Sequence, residues 1–257
     1  MHLAVPAPSA PFSLLPAQKR RAEQLTSIFE NDTPRLQYGY VEDIGDERGY
    51  TSGRAGFCTG TADAVQVIRD YNSLRPRNPL RKYLAQLELL EAAFLETEEP
   101  QGDTSGLDAV GSYPQDWRAS AADPAFRAAQ DRVVDKLYFR PAMRHARRLG
   151  LATALSKAVL YDTIIQHGEE GEASLTDLIE RAHQALGLEP RVGVDEEVWL
   201  RAFLAQRHAV LEGTDVWRES RGRVEQLREL LDRGNFNLEG PITTIPTVTG
   251  YTVYTLP

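Results

Sequence analysis

The segment from Tyr40 to Asp63 constrains the fold of this chain more than any other, because it is rich in both glycine and carboxylate residues. Its glycines lie at positions 45, 49, 53, 56 and 60, and the stretch from Leu36 to Thr51 is predicted to form the short strands and turns of a small sheet. Crowded carboxylates disfavour one another's ionisation, which is useful where one carboxyl group must hold a proton while another stays ionised. The acidic residues of the segment are Glu42, Asp43, Asp46, Glu47 and Asp63.

The rest of the chain carries mostly helical patterns, so the predicted fold class is mainly α with a small β-sheet. Thr61 is predicted to cap the helix that follows the glycine-rich segment, with Asp63 in the first turn. The Thr-, Val- and Tyr-rich tail from residue 243 to 256 is predicted to be extended, with a hairpin around Thr249-Gly250. The other predicted helices lie at about 16–30, 80–96, 124–137, 141–167, 174–187, 195–213 and 216–233.

The composition is that of an ordinary folded protein. A chain of 257 residues with 42% hydrophobic and 26% charged residues can bury one large core or two lobes. The net charge of -8 argues against a nucleic-acid partner and is compatible with a cationic one. Residues 1–15 are rich in Pro and Ala and are predicted to be a flexible segment ahead of a folded region at 16–257.

Membrane, metal and disulfide signals are weak. No apolar run approaches the roughly 20 residues that span a bilayer, and the N-terminus lacks a signal-peptide pattern. Cys58 is the single cysteine, which excludes an intrachain disulfide, and it is interpreted as a buried structural residue. The five histidines show no ligand spacing. We therefore predict no metal, no cofactor and no membrane association.

Two carboxyl groups stand out from the pattern of the residues around them. Glu30 is predicted to lie at a helix C-terminus, where the dipole disfavours negative charge, and this suits a proton donor. Asp162 lies in a run that is apolar on nearly every side, so a cation should face it. Arg207 follows Trp199 and Phe203 on one helical stripe and is the natural partner. On these residues alone, a buried ion pair that only fixes packing is the favoured explanation.

The glycine-rich segment resembles the signature of the family 46 chitosanases among glycoside hydrolases. The similar residues are Glu30-Asn31, then the ungapped run Ile44-Gly45-Asp46-Glu47-Arg48-Gly49-Tyr50-Thr51, then Gly60-Thr61-Ala62-Asp63. The resemblance extends from about residue 20 to the C-terminus and identifies residues 16–257 as a chitosanase catalytic domain. It implies a two-lobed, lysozyme-like fold with the substrate cleft between the lobes. The further matching residues are Asp116-Trp117, Leu137-Tyr138-Phe139, Tyr161-Asp162, His167-Gly168 and Gly234-Asn235.

The resemblance also implies an activity, namely endo-acting hydrolysis of β-1,4 bonds in chitosan with inversion at the anomeric carbon. Glu30 would be the general acid, Asp46 the general base, and Thr51 would hold the attacking water. Inversion requires room for that water, so the two carboxyl groups are expected at or above a separation of roughly 6.5–9.5 Å.

Further site residues are likewise implied by the resemblance. Asp162, Arg207 and Arg221 would form an Arg-Asp-Arg network that positions the acid, although one residue of alignment slack also allows Arg223. Arg48 and Asp63 would contact substrate, and a carboxylate recognises a glucosamine ammonium group with charge assistance. Asp63 also fits a helix N-terminal acid. Weaker substrate matches, each equally explained as a packed residue, are Tyr40, Tyr138 and His167. An acid for the reducing-side subsites is expected at Glu212 or Asp215.

The expected partners are chitosan and glucosamine oligosaccharides, bound by a secreted monomer whose signal peptide is not part of this chain. Two other functions remain open. A lysozyme-like hydrolase would prefer acetylated glycans, and substitution of Asp63 would leave its activity unharmed. A non-catalytic chitosan-binding protein would bind the polymer without producing new reducing ends, and the presence of both Glu30 and Asp46 argues against it.

Overall fold

The computed structural model describes residues 13–187, 195–213, 220–244 and 253–257. The chain divides into two compact units, of which the first combines the residues up to Arg35 with those from Tyr138 onward. The second runs from Leu36 to Leu137. Most described residues are helical, and the strands form small antiparallel sheets. The predicted class, mainly α with a small β element, is confirmed.

A buried helix, α8, organises the first unit. Every residue from Ala154 to Ile164 is buried, and α8 packs against four other helices of the unit. A helix that is apolar on nearly all sides belongs in a core, so the one carboxylate within this stretch, Asp162, must be compensated. The helices of this unit are α1 (Pro16–Asn31), α7 (Arg140–Leu149), α8 (Ala154–His167), α9 (Leu175–Ala185), α10 (Glu196–Glu212) and α11 (Arg221–Asp232).

The N-terminal helix α1 carries the first candidate residue. It starts with Pro16, whose fixed φ suits a first helical position. It ends where Asp32 adopts φ 53 and donates its backbone N–H to the Ile28 carbonyl at 3.0 Å. The buried side chains of Leu25 and Phe29 fix the inner face of α1, which packs on α8. The predicted helix is confirmed, and its last turn holds Glu30.

One predicted helix is wrong. The pattern from 141 to 167 suggested a single helix, whereas the structure has α7 and α8 separated by a break. Gly150 at φ 71 ends α7, a conformation that glycine adopts without steric cost. Thr153 then caps α8 by accepting a hydrogen bond from the Ser156 N–H at 3.2 Å. The break orients the buried helix independently of α7.

The second unit contains a three-stranded antiparallel sheet in the order β1-β2-β3. The register pairs Thr51 in β2 with Glu42 in β1 and with Cys58 in β3. The sheet confirms the strands and turns predicted for residues 36–51, and its third strand lies beyond that stretch. The elements of this unit are β1 (Val41–Asp43), β2 (Tyr50–Ser52), β3 (Phe57–Cys58), α2 (Ala64–Leu74), α3 (Leu84–Thr97), α4 (Ser105–Asp108), α5 (Tyr113–Ser120) and α6 (Pro124–Val134), with a 3-10 turn at Pro79–Tyr83.

The cap of α2 differs from the prediction. Asp63, not Thr61, is the N-cap, and its Oδ1 accepts the Ala64 N–H at 3.0 Å. The Thr61 hydroxyl instead donates to the same oxygen at 3.0 Å. Ala62 at φ 65 turns the chain between them. A carboxylate at this position satisfies a helix N–H that would otherwise lack a partner.

The C-terminal tail forms a two-stranded antiparallel sheet, β4 (Ile242–Thr244) with β5 (Tyr254–Leu256). This confirms the predicted extended tail, while the turn expected at Thr249-Gly250 lies outside the described residues. The same holds for residues 1–12 of the N-terminal segment. Among the described ranges, no helix combines the length and apolarity required to cross a membrane.

Candidate active site

Glu30 lies at the end of α1 with its carboxylate partly open to solvent. Its side chain is 38% exposed, and its Oε1 lies 2.7 Å from Nη1 of Arg223. The Arg223 side chain is almost fully buried and lies over the ring of Phe29, at 5.4 Å from the ring centroid. One oxygen of the carboxyl group is therefore held by a buried guanidinium on the protein side.

The arginine beside Glu30 is Arg223 and not Arg221, which corrects the first choice made from the sequence. Arg221 is about half-exposed, and its Nη1 lies 3.4 Å from Oε1 of Glu212. Two residues along an α-helix turn the side-chain direction by about 200°, so the two arginines face opposite sides of α11. Arg223 stands one turn before the buried Leu227, and this i,i+4 spacing was the sequence signal that distinguished it.

Asp162 joins two buried arginines. Its Oδ2 lies 2.8 Å from Nη2 of Arg207, and its Oδ1 lies 2.8 Å from Nη2 of Arg223. Burial alone would raise the pKa of Asp162, but the two guanidinium charges outweigh burial and lower the pKa to about 2. The predicted pairing of Asp162 with Arg207 is present, and the carboxylate stays ionised at neutral pH.

Two uncharged residues complete this network, and sequence reasoning missed both. Thr26 donates its hydroxyl to Oδ1 of Asp162 at 3.0 Å, and Arg207 donates from Nη2 to Oε1 of Gln166 at 2.5 Å. Thr26 precedes Glu30 by four residues on α1, and Gln166 follows Asp162 by four on α8. The i,i+4 spacing that places side chains on one helix face was the available signal.

Asp46 lies in the turn between β1 and β2, where Arg48 holds it. Its Oδ2 accepts hydrogen bonds from Nε of Arg48 at 2.7 Å, with Nη2 at 2.5 Å, and its Oδ1 accepts the Arg48 backbone N–H at 3.1 Å. Partial burial by itself would raise the pKa of Asp46, but the hydrogen bonds and charge of Arg48 lower it below the ordinary value. Asp46 is thus an ionised carboxylate, the state that a proton acceptor needs.

Thr51 is a buried residue in the middle of β2. Its Oγ1 lies 3.5 Å from Sγ of Cys58 on the neighbouring strand. Burial raises the pKa of the Cys58 thiol, which keeps it neutral and unreactive. This agrees with the interpretation of Cys58 as a structural residue.

Asp63 is half-buried and accepts a set of donors on one oxygen. Its Oδ1 accepts the Cys58 N–H at 2.8 Å, the Thr61 hydroxyl at 3.0 Å and the Ala64 N–H at 3.0 Å. Burial raises the pKa of Asp63 to about 6, although these hydrogen bonds oppose the rise. The capping role of Asp63 is therefore present, and it uses Oδ1.

The weaker candidates differ in their surroundings. Tyr40 is exposed and donates its hydroxyl to Oε2 of Glu42 at 3.1 Å, and partial burial together with Glu42 raises its pKa. Tyr138 is half-buried in a π-helical turn that connects α6 to α7. His167 ends α8, and burial together with the charges of Arg207 and Arg223 lowers its pKa to about 3, so the imidazole is neutral.

The acid expected for the reducing-side subsites is only partly described. Glu212 is exposed at the end of α10 and pairs with Arg221, and its Oε2 lies 3.7 Å from Nδ1 of His208. Asp215 lies outside the described residues. In the described part of the chain, no group of three His, Cys, Asp or Glu residues is arranged to hold a metal ion.

The geometry assigns different candidate residues to the two units. The first unit holds Glu30, which is supported by a buried Arg-Asp-Arg network, and the second holds Asp46 as an ionised carboxylate. A partly solvated carboxyl group in contact with fixed charges, together with a second ionised carboxylate, is the pair of groups that a glycoside hydrolase uses.

Comparison with known proteins identifies the glycoside hydrolase family. The family model described as Glycosyl hydrolase family 46 matches residues 24–242. A chitosanase from Bacillus subtilis (strain 168) is 48% identical over 232 residues, which cover 88% of this chain and 80% of the relative. The chain therefore belongs to glycosyl hydrolase family 46.

Solved structures agree with this membership. A mutant chitosanase from Bacillus subtilis MY002, complexed with 6 GlcN, is 44% identical with a TM-score of 0.82, and the match covers 95% of this chain and 100% of that one. A family 46 chitosanase from Gynuella sunshinyii, complexed with chitotetraose, is 42% identical with a TM-score of 0.80, covering 95% and 99%. The lysozyme-like fold expected from the sequence is confirmed by these neighbours.

Proposed function

We propose that this chain is an endo-acting chitosanase that hydrolyses β-1,4 bonds of chitosan with inversion at the anomeric carbon. The observation that carries the proposal is the Glu30 carboxyl group held by Arg223 of the buried Arg-Asp-Arg network. Family membership and relatives named as chitosanases support the substrate class. A relative complexed with 6 GlcN supports action within a long chain.

In this mechanism Glu30 protonates the leaving glycosidic oxygen. Arg223 engages Oε1, so Oε2 is the oxygen proposed to carry the proton. As the proton leaves, negative charge develops beside the fixed guanidinium, and their attraction grows toward the transition state. Asp162 balances part of the charge of Arg223 and Arg207, which limits the attraction before the reaction starts. The network thereby stabilises the deprotonated acid at the moment when it forms.

Asp46 accepts the proton of the attacking water. A lowered pKa keeps Asp46 ionised, and its hydrogen bonds to Arg48 fix its orientation. The Thr51 hydroxyl is proposed to hold the same water, because a water fixed by two partners presents its lone pair in one direction. Attack on the face opposite the leaving group gives inversion.

Asp63 is proposed to recognise a glucosamine ammonium group. The capping hydrogen bonds go to Oδ1, so Oδ2 is the oxygen assigned to substrate. A carboxylate–ammonium hydrogen bond is stronger than a neutral one and selects against an acetylated nitrogen. Arg48, Tyr40, Tyr138 and His167 belong to the same proposal as further substrate contacts.

The cellular setting follows from the substrate. Because a long polysaccharide does not cross a membrane, we propose that the enzyme is secreted and acts as a monomer. Light scattering in solution then gives a single species near 28.7 kDa. A stable species of twice this mass would contradict the monomer.

A reducing-end assay on chitosans of graded acetylation tests the function. The expected result is hydrolysis that falls steadily as acetylation rises. A lysozyme-like enzyme would show the opposite trend, and a non-catalytic binding protein would retain the polymer without new reducing ends. NMR of the first products of an oligosaccharide tests the stereochemistry. The α-anomer is expected first, and an initial β-anomer would contradict inversion.

A further inference from the structure

The hydroxyl of Thr26 occupies a buried position beside the acid-supporting network. Thr26 is 5% exposed and donates to Oδ1 of Asp162 at 3.0 Å. The same oxygen lies 2.8 Å from Nη2 of Arg223, whose Nη1 lies 2.7 Å from Glu30. A short chain of polar contacts therefore leads from Thr26 through Asp162 and Arg223 to Glu30.

Helix α1 carries the residues at both ends of this series of polar contacts. Thr26 and Glu30 are four residues apart on α1 and face the same side. The helix thus contacts the network at two points one turn apart, through an uncharged hydroxyl and through the candidate acid. Apolar packing already holds α1 against α8, and the two polar contacts on one rigid helix further fix the distance between Glu30 and the Asp162 carboxylate.

From this geometry we infer that Thr26 is a positioning residue that fixes Glu30 as the proton donor by anchoring Asp162 Oδ1. The inference rests on the proposed function, since it assigns Thr26 to the reaction of that site. Thr26 does not touch the reacting atoms, and its effect passes through Asp162 and Arg223.

Removing the Thr26 hydroxyl is expected to shift Arg223 toward Asp162. Oδ1 of Asp162 loses a donor, and a buried carboxylate that lacks a hydrogen bond draws its remaining donor closer. Arg223 then moves toward Asp162 and away from Glu30 Oε1. The weaker contact with Arg223 leaves the orientation of the Glu30 carboxyl group less fixed.

The test compares Thr26→Val with Thr163→Val. Thr163 is a matched control, because it is fully buried and donates its hydroxyl to the Val159 carbonyl of its own helix at 2.7 Å. Both substitutions remove one buried hydroxyl and should lower the thermal midpoint, Thr26→Val by more, because its hydroxyl donates to a charged group. Only Thr26→Val is expected to reduce kcat, by about tenfold, with KM for a glucosamine hexamer unchanged. Thr26→Ser, which keeps the hydroxyl, should restore kcat.

The outcomes separate this inference from the proposed function. If Thr26→Val matches Thr163→Val in kcat, Thr26 has only a structural role and the inference is wrong. That result leaves the proposed function intact as long as Glu30→Gln is inactive. An active Glu30→Gln enzyme would instead overturn the proposed function itself. If Thr26→Val fails to fold, the comparison of Thr26→Ala with Thr26→Ser replaces it under the same expectations.

Discussion

At the scale of single residues, Asp63 combines a structural role with the substrate recognition proposed for it. Its Oδ1 accepts the Ala64 N–H that starts α2 and the Cys58 N–H from β3. Burial raises its pKa to about 6, so the carboxyl group is neutral at lower pH and ionised above that value. Because only the ionised form attracts an ammonium group, recognition and pH become linked.

We therefore predict that KM for glucosamine oligosaccharides rises as the pH falls below about 6 in the unmodified enzyme. A bound ammonium favours the charged carboxylate, so the change in the enzyme–substrate complex should occur at lower pH than in the free enzyme. Asp63→Asn should show a raised KM across the whole range and no such dependence. Steady-state kinetics between roughly pH 4 and pH 8 measures KM for the unmodified enzyme and for Asp63→Asn.

Asp70→Asn on the same helix is the control for this experiment, because Asp70 makes no proposed contact with substrate. Its KM and pH dependence should match those of the unmodified enzyme. A KM that stays flat with pH in the unmodified enzyme, or a normal KM in Asp63→Asn, would contradict ammonium recognition by Asp63.

At the scale of elements, the phase of α11 decides which arginine supports the acid. Arg223 faces the buried side of the helix with Leu227, while Arg221 faces solvent and Glu212. A guanidinium contributes to charge stabilisation only where it is held against the developing charge. The position of each arginine on the helix, and not its proximity in sequence, therefore determines its effect.

We predict that Arg223→Gln lowers kcat on chitosan by about a hundredfold, the magnitude found when one fixed donor to a developing charge is removed. The substitution also removes one of the two positive charges that pair with buried Asp162, so the thermal midpoint should fall. Arg221→Gln on the same helix should change kcat by less than about twofold, since exposed pairs contribute little. If Arg221→Gln lowered kcat more than Arg223→Gln, Arg221 would be the second arginine of the network.

Much of the element pattern could be predicted from the sequence, and the exceptions have physical causes. The end of α1 and the start of α6 at Asp123-Pro124 were predictable because their caps are local signals. The break at Gly150 was missed because the apolar pattern continues through it. The spacing of Arg223 and Leu227 carried the phase of α11 in the sequence, but only the packing of α11 on α10 and α8 shows which groups Arg223 reaches.

The site was predictable to the extent that its chemistry lies in a contiguous motif. Asp46, Arg48 and Thr51 lie within one run, and the structure shows Arg48 bound to Asp46. Thr26 and Gln166 carry no charge and no motif, and many helix residues share their i,i+4 spacing, so their contacts with Asp162 and Arg207 are needed to identify them. Uncharged members of a buried polar network are visible only when the helices that carry them are placed.

At the scale of the whole molecule, the two proposed carboxyl groups come from different parts of the chain. Glu30 belongs to the unit built on α8, and Asp46 belongs to the unit that contains the three-stranded sheet. The net charge of -8 is favourable for a polycationic substrate, because a negative surface raises the local concentration of a positive polymer. We propose that this charge favours binding of the polymer and that the two carboxyl groups perform the chemistry.

The central claim is that Glu30 donates the proton, and turnover of chitosan by Glu30→Gln tests it most directly. Glutamine keeps the size of the side chain but cannot act as an acid, so kcat should fall by about 10²–10⁴-fold while substrate binding persists. Glu23→Gln, the same change earlier on α1, should leave kcat unchanged and serves as the matched control. Near-normal turnover by Glu30→Gln would contradict the account.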